Sequence, residues 1–137
     1  MAHKLQIKRV YEAEAPDDGY RILVDRLWPR GMSKVRADLS DWDKSVAPSA
    51  ALRKSFHDGE IPYAAFREAY DKELAANPAY DELVGIVREK LQGSNVTLLF
   101  ASKDETENNA EVLLELLRAS LGGSASQGQA PETQQDT

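Results

Sequence analysis

Four charged side chains fall within ten residues of the stretch VDRLWPRGMSK (24–34): Asp25, Arg26, Arg30 and Lys34, interrupted by Trp28, Pro29 and Gly31. A loop that only turned would need the proline and the glycine alone. A second charged stretch, SKDE (102–105), brings Ser102, Lys103 and Asp104 directly after another apolar run. Arginine offers a planar fork suited to phosphate or carboxylate, and lysine adds a compact positive charge. Arg26, Arg30, Lys34 and Lys103 are therefore read as ligand-binding cations, with Ser102 beside them. Asp25 and Asp104 are read as orienting those cations or as an acid–base pair, because carboxylates in unlike surroundings have their pKa values pushed apart. The competing reading makes Asp25–Arg26 and Lys103–Asp104 structural ion pairs at a sheet edge, with Trp28 in the core.

Both stretches leave apolar runs, Ile22–Val24 and Val96–Phe100. A continuous run, in place of alternation, points to a strand covered on both faces, as in a parallel sheet. In open parallel sheets ligands bind beyond the carboxyl ends of strands, so two such strands side by side would bring Arg30 and Lys103 to one edge. An earlier strand is expected in LQIKRVYEA, followed by a turn at EAPDDGY. The segment from Pro29 to Val46 reads as irregular, with a helical turn near Lys34–Leu39. Ser49 is expected to cap a helix bearing Leu52 and Phe56, a role aspartate or asparagine would fill as well. Pro62 is expected at a first helical position, and Tyr63, Phe66, Tyr70 and Leu74 form a stripe at helical spacing. Tyr80, Leu83, Val84, Val87 and Leu91 form another, expected to close at Gly93. Thr106 is the expected cap of a last helix bearing Ala110, Leu113, Leu114, Leu117 and Leu121.

These elements predict one α/β domain over residues 1–121, a small parallel or mostly parallel sheet covered by helices. The remaining stretch, 122–137, has no large apolar residue and is expected to be disordered. The whole chain has 137 residues, 42% of them hydrophobic, enough for a core in a single domain. No apolar block reaches the roughly 20 residues a bilayer crossing needs, and no signal peptide is expected. The absence of cysteine rules out disulfides and thiolate chemistry and fits a cytoplasmic location.

A net charge of −6 argues against indiscriminate binding to nucleic acid, although its distribution is uneven. Between Tyr20 and Lys54 stand eight basic and four acidic residues. That region suits a localised anion better than a long duplex. Ser49 makes a poor nucleophile candidate, since no histidine sits at a recognisable triad spacing. His57 could serve as a general base near neutral pH but reads as a polar helix end. Neither the two histidines nor the scattered carboxylates show a metal-ligand spacing, and no cofactor is expected.

The combination RILVDRLWPRGMSK, W-x-K-x-x-APS-x-x-LRK-x-F, F-x-x-x-Y-x-x-EL and VTLLFASKD-x-x-x-N-x-A-x-VL closely resembles the YeaO-like branch of the domain-of-unknown-function family 488 (DUF488). The likeness runs from about Leu5 to Leu117 and keeps motif order and spacing. Its motif positions fall on Asp25, Arg26, Trp28, Pro29, Arg30, Gly31, Lys34, Trp42, Pro48, Ser49, Leu52, Arg53, Lys103, Asp104, Asn108 and Ala110, and Asn108 joins the ligand-binding set. The pattern favours an aromatic residue where this chain has Ser55, and often histidine where it has Asn109. An asparagine there donates a hydrogen bond but cannot shuttle a proton. The resemblance implies fold and motif boundaries and carries no substrate with it.

The reading reached from sequence is a cytoplasmic domain that binds an anionic small molecule bearing phosphate or carboxylate, and that would act as a hydrolase or transferase if it acts at all. Two alternatives stand beside it. One is a nucleic-acid-binding protein using the basic 20–54 region, with affinity falling steeply in salt. The other is a protein-interaction module without chemistry. No membrane partner is expected.

Overall fold

A computed structural model of the chain describes residues 3–122. Strands β1 (Leu5–Arg9), β2 (Tyr20–Leu23), β3 (Asp41–Trp42) and β4 (Val96–Phe100) form one sheet in the order β1-β4-β2-β3. Every pairing is parallel. β4 lies in the interior of the sheet, and all five of its residues are buried, which is why VTLLF is apolar with one threonine. Thr97 stays satisfied there, donating its hydroxyl to the Asp18 carbonyl at 2.7 Å and accepting Gln6 Nε2 at 3.0 Å.

Alternation along the strands divides the core in two. Leu5, Ile22, Val24, Leu98 and Phe100 pack with residues of α3 (Tyr63–Ala75), α4 (Pro78–Lys90) and α5 (Asn109–Ser120). The sequence stripes supply that layer: Phe66, Tyr70, Leu74, Leu83, Val87, Leu113 and Leu117 are all buried. Leu23 and Leu99 turn to the other face and meet Val10, Met32, Ala37, Trp28 and Trp42. The short helix α1 (Lys34–Ala37) lies within the segment that covers that face, and α2 (Ala50–His57) follows β3. Among the described residues no helix is long and apolar enough to cross a membrane.

The turn into β2 needs its glycine. Gly19 has φ +66°, and a Cβ there would stand 2.1 Å from the Asn95 carbonyl oxygen.

Three local expectations change. The segment read as irregular contains β3, held at the edge by Ser40 N–H to the Arg21 carbonyl (2.8 Å) and Asp43 N–H to the Leu23 carbonyl (2.9 Å). Two residues are too few to show a strand pattern. Helix α4 ends at Lys90 with Leu91 as its cap, and Gly93 is not among the positive-φ glycines that close helices. Pro62 stands one place before α3, as its N-cap. The expectation for 122–137 falls, apart from Gly122, outside the described residues.

Candidate functional site

β2 and β4 are adjacent and in register, Leu23 opposite Leu99, so their loops leave the sheet side by side. Between and around those loops lies a cavity of about 680 Å³. Asp25, Arg26, Arg30, Ser102, Lys103, Asp104 and Asn108 all line it. Lys34 does not; it opens α1 as an exposed residue.

Asp25 joins the two exits. Its Oδ2 accepts the Ala101 N–H at 2.9 Å, and its Oδ1 accepts Asn109 Nδ2 at 3.1 Å. Asn109 also donates to the Val24 carbonyl at 3.2 Å, and Trp42 Nε1 donates to the Asp25 carbonyl at 2.7 Å. Burial lifts the Asp25 carboxyl above the usual carboxylate range, partly offset by the Ala101 and Asn109 hydrogen bonds and the charge of Arg53.

Asp104 has the opposite surroundings. Its Oδ1 accepts the Glu107 N–H (2.9 Å), the Thr106 N–H (3.0 Å) and the Thr106 hydroxyl (3.1 Å). The Glu107 and Thr106 amides hold its carboxyl below the usual range. This side-chain turn also displaces the expected helix cap. With Thr106 bonded to Asp104, α5 begins two residues later, and Asn108 Oδ1 caps it by accepting the Glu111 N–H at 2.8 Å. Asn108 Nδ2 donates to the Asp104 carbonyl at 2.9 Å, so both ends of that buried amide already serve the backbone.

Arg26 reaches the Pro48 carbonyl through Nη2 at 3.2 Å and Nε at 3.4 Å, long contacts that orient the guanidinium loosely. Among the described residues the side chains of Arg30, Arg53 and Lys103 have no hydrogen bond or ion pair. The ion pairs among the described residues are Lys8–Asp18, Arg21–Asp18, Lys54–Asp58 and Arg67–Glu115, none of them in the lining. The alternative that Asp25–Arg26 and Lys103–Asp104 are structural salt bridges is thus not what the structure contains.

Other lining residues come from elements that the strand-exit argument does not reach. Arg53, Phe56 and His57 project from α2 at i, i+3 and i+4, one face of a helix, and that spacing was the available signal. β1 supplies the scaffold. Arg9 donates to the carbonyls of Ser102 (2.8 Å) and Ala101 (3.3 Å), and its guanidinium lies 5.1 Å from the Tyr11 ring centroid. The Tyr11 hydroxyl in turn donates to the Arg30 carbonyl at 2.7 Å. The end of β1 therefore fixes both cation-bearing loops.

Several basic residues of the 20–54 region are already engaged within the protein. Arg21 is buried against Asp18, and Arg36 donates to the Tyr11 carbonyl. Lys44 sits 4.3 Å from the Trp42 ring centroid, and Lys54 pairs with Asp58. Among the described residues no group of histidines and carboxylates is placed to hold a metal ion.

Ser49 lies outside the lining, and its hydroxyl is occupied twice. It accepts the Leu52 N–H at 3.2 Å, capping α2, and donates to Glu73 Oε2 at 2.6 Å. The Ser49 N–H donates to Glu73 Oε1 at 2.9 Å. Aspartate is then no substitute, since its carboxylate would face that of Glu73. Ser49→Ala is expected to cost about 1 kcal/mol in urea denaturation, within the range of about 0.5–2 kcal/mol for a lost cap. Ser49→Asp is expected to cost more than Ser49→Ala. Equal stability of Ser49→Asp and the wild type would contradict the Glu73 contact.

Comparison with known proteins places the chain in context. The model of the inactive DUF488-N3 subclade matches residues 4–134. The uncharacterised protein YeaO of Escherichia coli (strain K12) is 45% identical over 115 residues, which cover 84% of this chain and 97% of that one. The uncharacterised protein Rv3073c of Mycobacterium tuberculosis (strain ATCC 25618 / H37Rv) is 39% identical over 115 residues, 83% of this chain and 93% of that one. No solved structure matches the chain.

Proposed function

Since the chain belongs to the inactive DUF488-N3 subclade, we propose that it binds an anionic small molecule, bearing phosphate or carboxylate, in this cavity and holds it without turnover. One observation carries the reading. Arg30, Arg53 and Lys103 line a single cavity, and among the described residues none of their side chains makes a hydrogen bond or ion pair, Arg53 acting on Asp25 through its charge alone. An anion supplies that pairing. The description of the subclade as inactive supports binding without chemistry, as does the engagement of Asp104 by three local donors. Hydrolase or transferase action is the second reading. It is favoured by the opposite displacements of the Asp25 and Asp104 carboxyls, one up and one down, as an acid and a base require. Burial of Arg21 against Asp18 and pairing of Lys54 with Asp58 leave fewer free cations for an extended nucleic-acid surface. The cysteine-free composition supports a cytoplasmic location.

The test is calorimetric titration with inorganic phosphate, pyrophosphate and sugar phosphates, followed by recovery of the ligand. Saturable binding with the ligand returned intact supports the reading. Returned product moves the Asp25–Asp104 pair forward, and the absence of binding by any anion removes the proposal.

The charge on Asp25 opposes a neighbouring anion and disappears on protonation. Sulfate is therefore expected to bind more tightly as pH falls through the raised Asp25 pKa. Folding has the same sign. With its folded pKa above the unfolded one, Asp25 opposes folding at higher pH, and that opposition is relieved as pH falls. His57 also lines the cavity, so the titration is run in a His57→Gln background. A rise in sulfate affinity that persists unchanged after Asp25→Asn would assign it elsewhere.

A further inference from the structure

Anion binding accounts for the cations and leaves Asp25 unexplained. A carboxylate offers about four acceptor positions, and the protein fills two of them, from Ala101 and Asn109. Among the described residues no cation forms an ion pair with it. A half-buried carboxylate offset by the charge of Arg53 but by no ion pair is costly to keep, and this one lines the cavity. A ligand that satisfies the whole lining therefore brings hydrogen-bond donors as well as an anion.

The aromatic part of the lining limits what lies between those groups. Trp28 stands edge-on to Trp42 with centroids 5.3 Å apart, and its indole N–H is spent on the Met32 carbonyl at 2.7 Å. Phe56 is stacked on Phe66 at 4.6 Å. Of the lining rings, Trp28, Phe56 and Phe66 can offer only carbon and π-surface to a ligand, which suits a flat ring, while Tyr11 and His57 carry polar atoms. At about 680 Å³ the cavity falls within the roughly 300–1,000 Å³ typical of small-molecule sites.

Resting on the anion-binding reading, we propose that the ligand is a nucleoside phosphate, free or at the end of a strand: Arg30 and Lys103 hold the phosphate, Trp28 and Phe56 receive the ring, and Asp25 accepts from sugar hydroxyls or ring N–H groups. Each part of the ligand answers a part of the lining that the others leave unsatisfied. The step is recognition alone, with no bond made or broken.

Titration of the full chain separates this inference from the reading beneath it. The probes are inorganic phosphate, ribose 5-phosphate, the adenosine, guanosine, cytidine and uridine 5′-monophosphates, and one oligonucleotide with and without a 5′-phosphate. At least one monophosphate is expected to bind roughly tenfold or more tightly than ribose 5-phosphate and inorganic phosphate, a difference calorimetry resolves readily. Asp25→Asn is expected to raise inorganic phosphate affinity, because a charge opposing the anion is gone, and to erase the margin of the monophosphate over it. If the variant does not fold, the ranking on the wild type decides. Binding confined to the 5′-phosphorylated oligonucleotide supports the same chemistry with the strand end as its source. Equal affinity for phosphate, ribose 5-phosphate and nucleotides overturns the ligand assignment and leaves anion binding standing. No binding by any probe overturns both.

Discussion

Asp18→Ala is expected to cost about 3–5 kcal/mol, a large share of the stability of a domain this size. The reason is the buried arginine it would abandon. Asp18 is 3% exposed and Arg21 2%, on the sheet face away from α3, α4 and α5. Asp18 Oδ2 accepts from Arg21 Nη1 at 2.5 Å and from the Ala15 N–H at 3.1 Å, while Lys8 Nζ approaches both oxygens at 3.0 and 3.2 Å. The rest of the guanidinium is held by the Ala37 and Asp38 carbonyls. Removing the carboxylate leaves that cation in place with no counter-charge. Burial alone would raise the Asp18 pKa, but the Ala15 amide, Lys8 and Arg21 outweigh it and hold the group below the usual carboxylate range. A depressed folded pKa gives stability that is present above the unfolded value, about 3.9, and is lost as pH falls through the folded one. Urea midpoints of the wild type should therefore drop in acid, and Asp18→Ala should drop less steeply over the same range. A loss below about 1 kcal/mol at neutral pH would show that the cluster contributes no more than an exposed pair.

How much of this could be read from the chain depends on the range of the interactions. Ile22–Val24 and Val96–Phe100 were legible as strands because a parallel sheet covers both their faces and leaves no polar alternation. The meeting of Arg30 and Lys103 in one cavity follows from those two strands being neighbours with ends in register. The stripes of α3 and α5 were legible for a similar reason: one helical face carries the burial. The parts that were not legible rest on contacts between distant residues. Glu73 meets Ser49 from another helix, and nothing local to either residue reports it. Arg9 and Tyr11 read as the end of a strand, although their polar atoms hold two loops elsewhere in the chain. Lys8 and Arg21 look like solvent-facing positions, because a charge buried beside its partner has no distinct sequence pattern. Asn108 replaced Thr106 as the cap because a single Asp104 side chain captured the preceding amides.

Arg30→Ala and Lys103→Ala are each expected to weaken binding of the same anion by roughly tenfold or more, the effect of losing a charged hydrogen bond of about 1.5–3 kcal/mol. Both side chains are exposed and without a protein partner among the described residues, so stability should stay within about 0.5 kcal/mol of the wild type. That separation of affinity from stability is what distinguishes a ligand site from a salt-bridged turn. Lys34→Ala is the control. It removes a cation from the same charged stretch, but one outside the cavity lining, and should leave affinity nearly unchanged. The double replacement of Arg30 and Lys103 should depart from additivity, because two cations on one anion share its charge and each repositions it for the other. Strict additivity for one bound phosphate would place the two residues at separate anions. A loss caused equally by Lys34→Ala would mean that general positive charge, and not this cavity, attracts the ligand. The charges of VDRLWPRGMSK would then act as a field over the surface, with a steep salt dependence, and the geometry of the two strand exits would not be their reason.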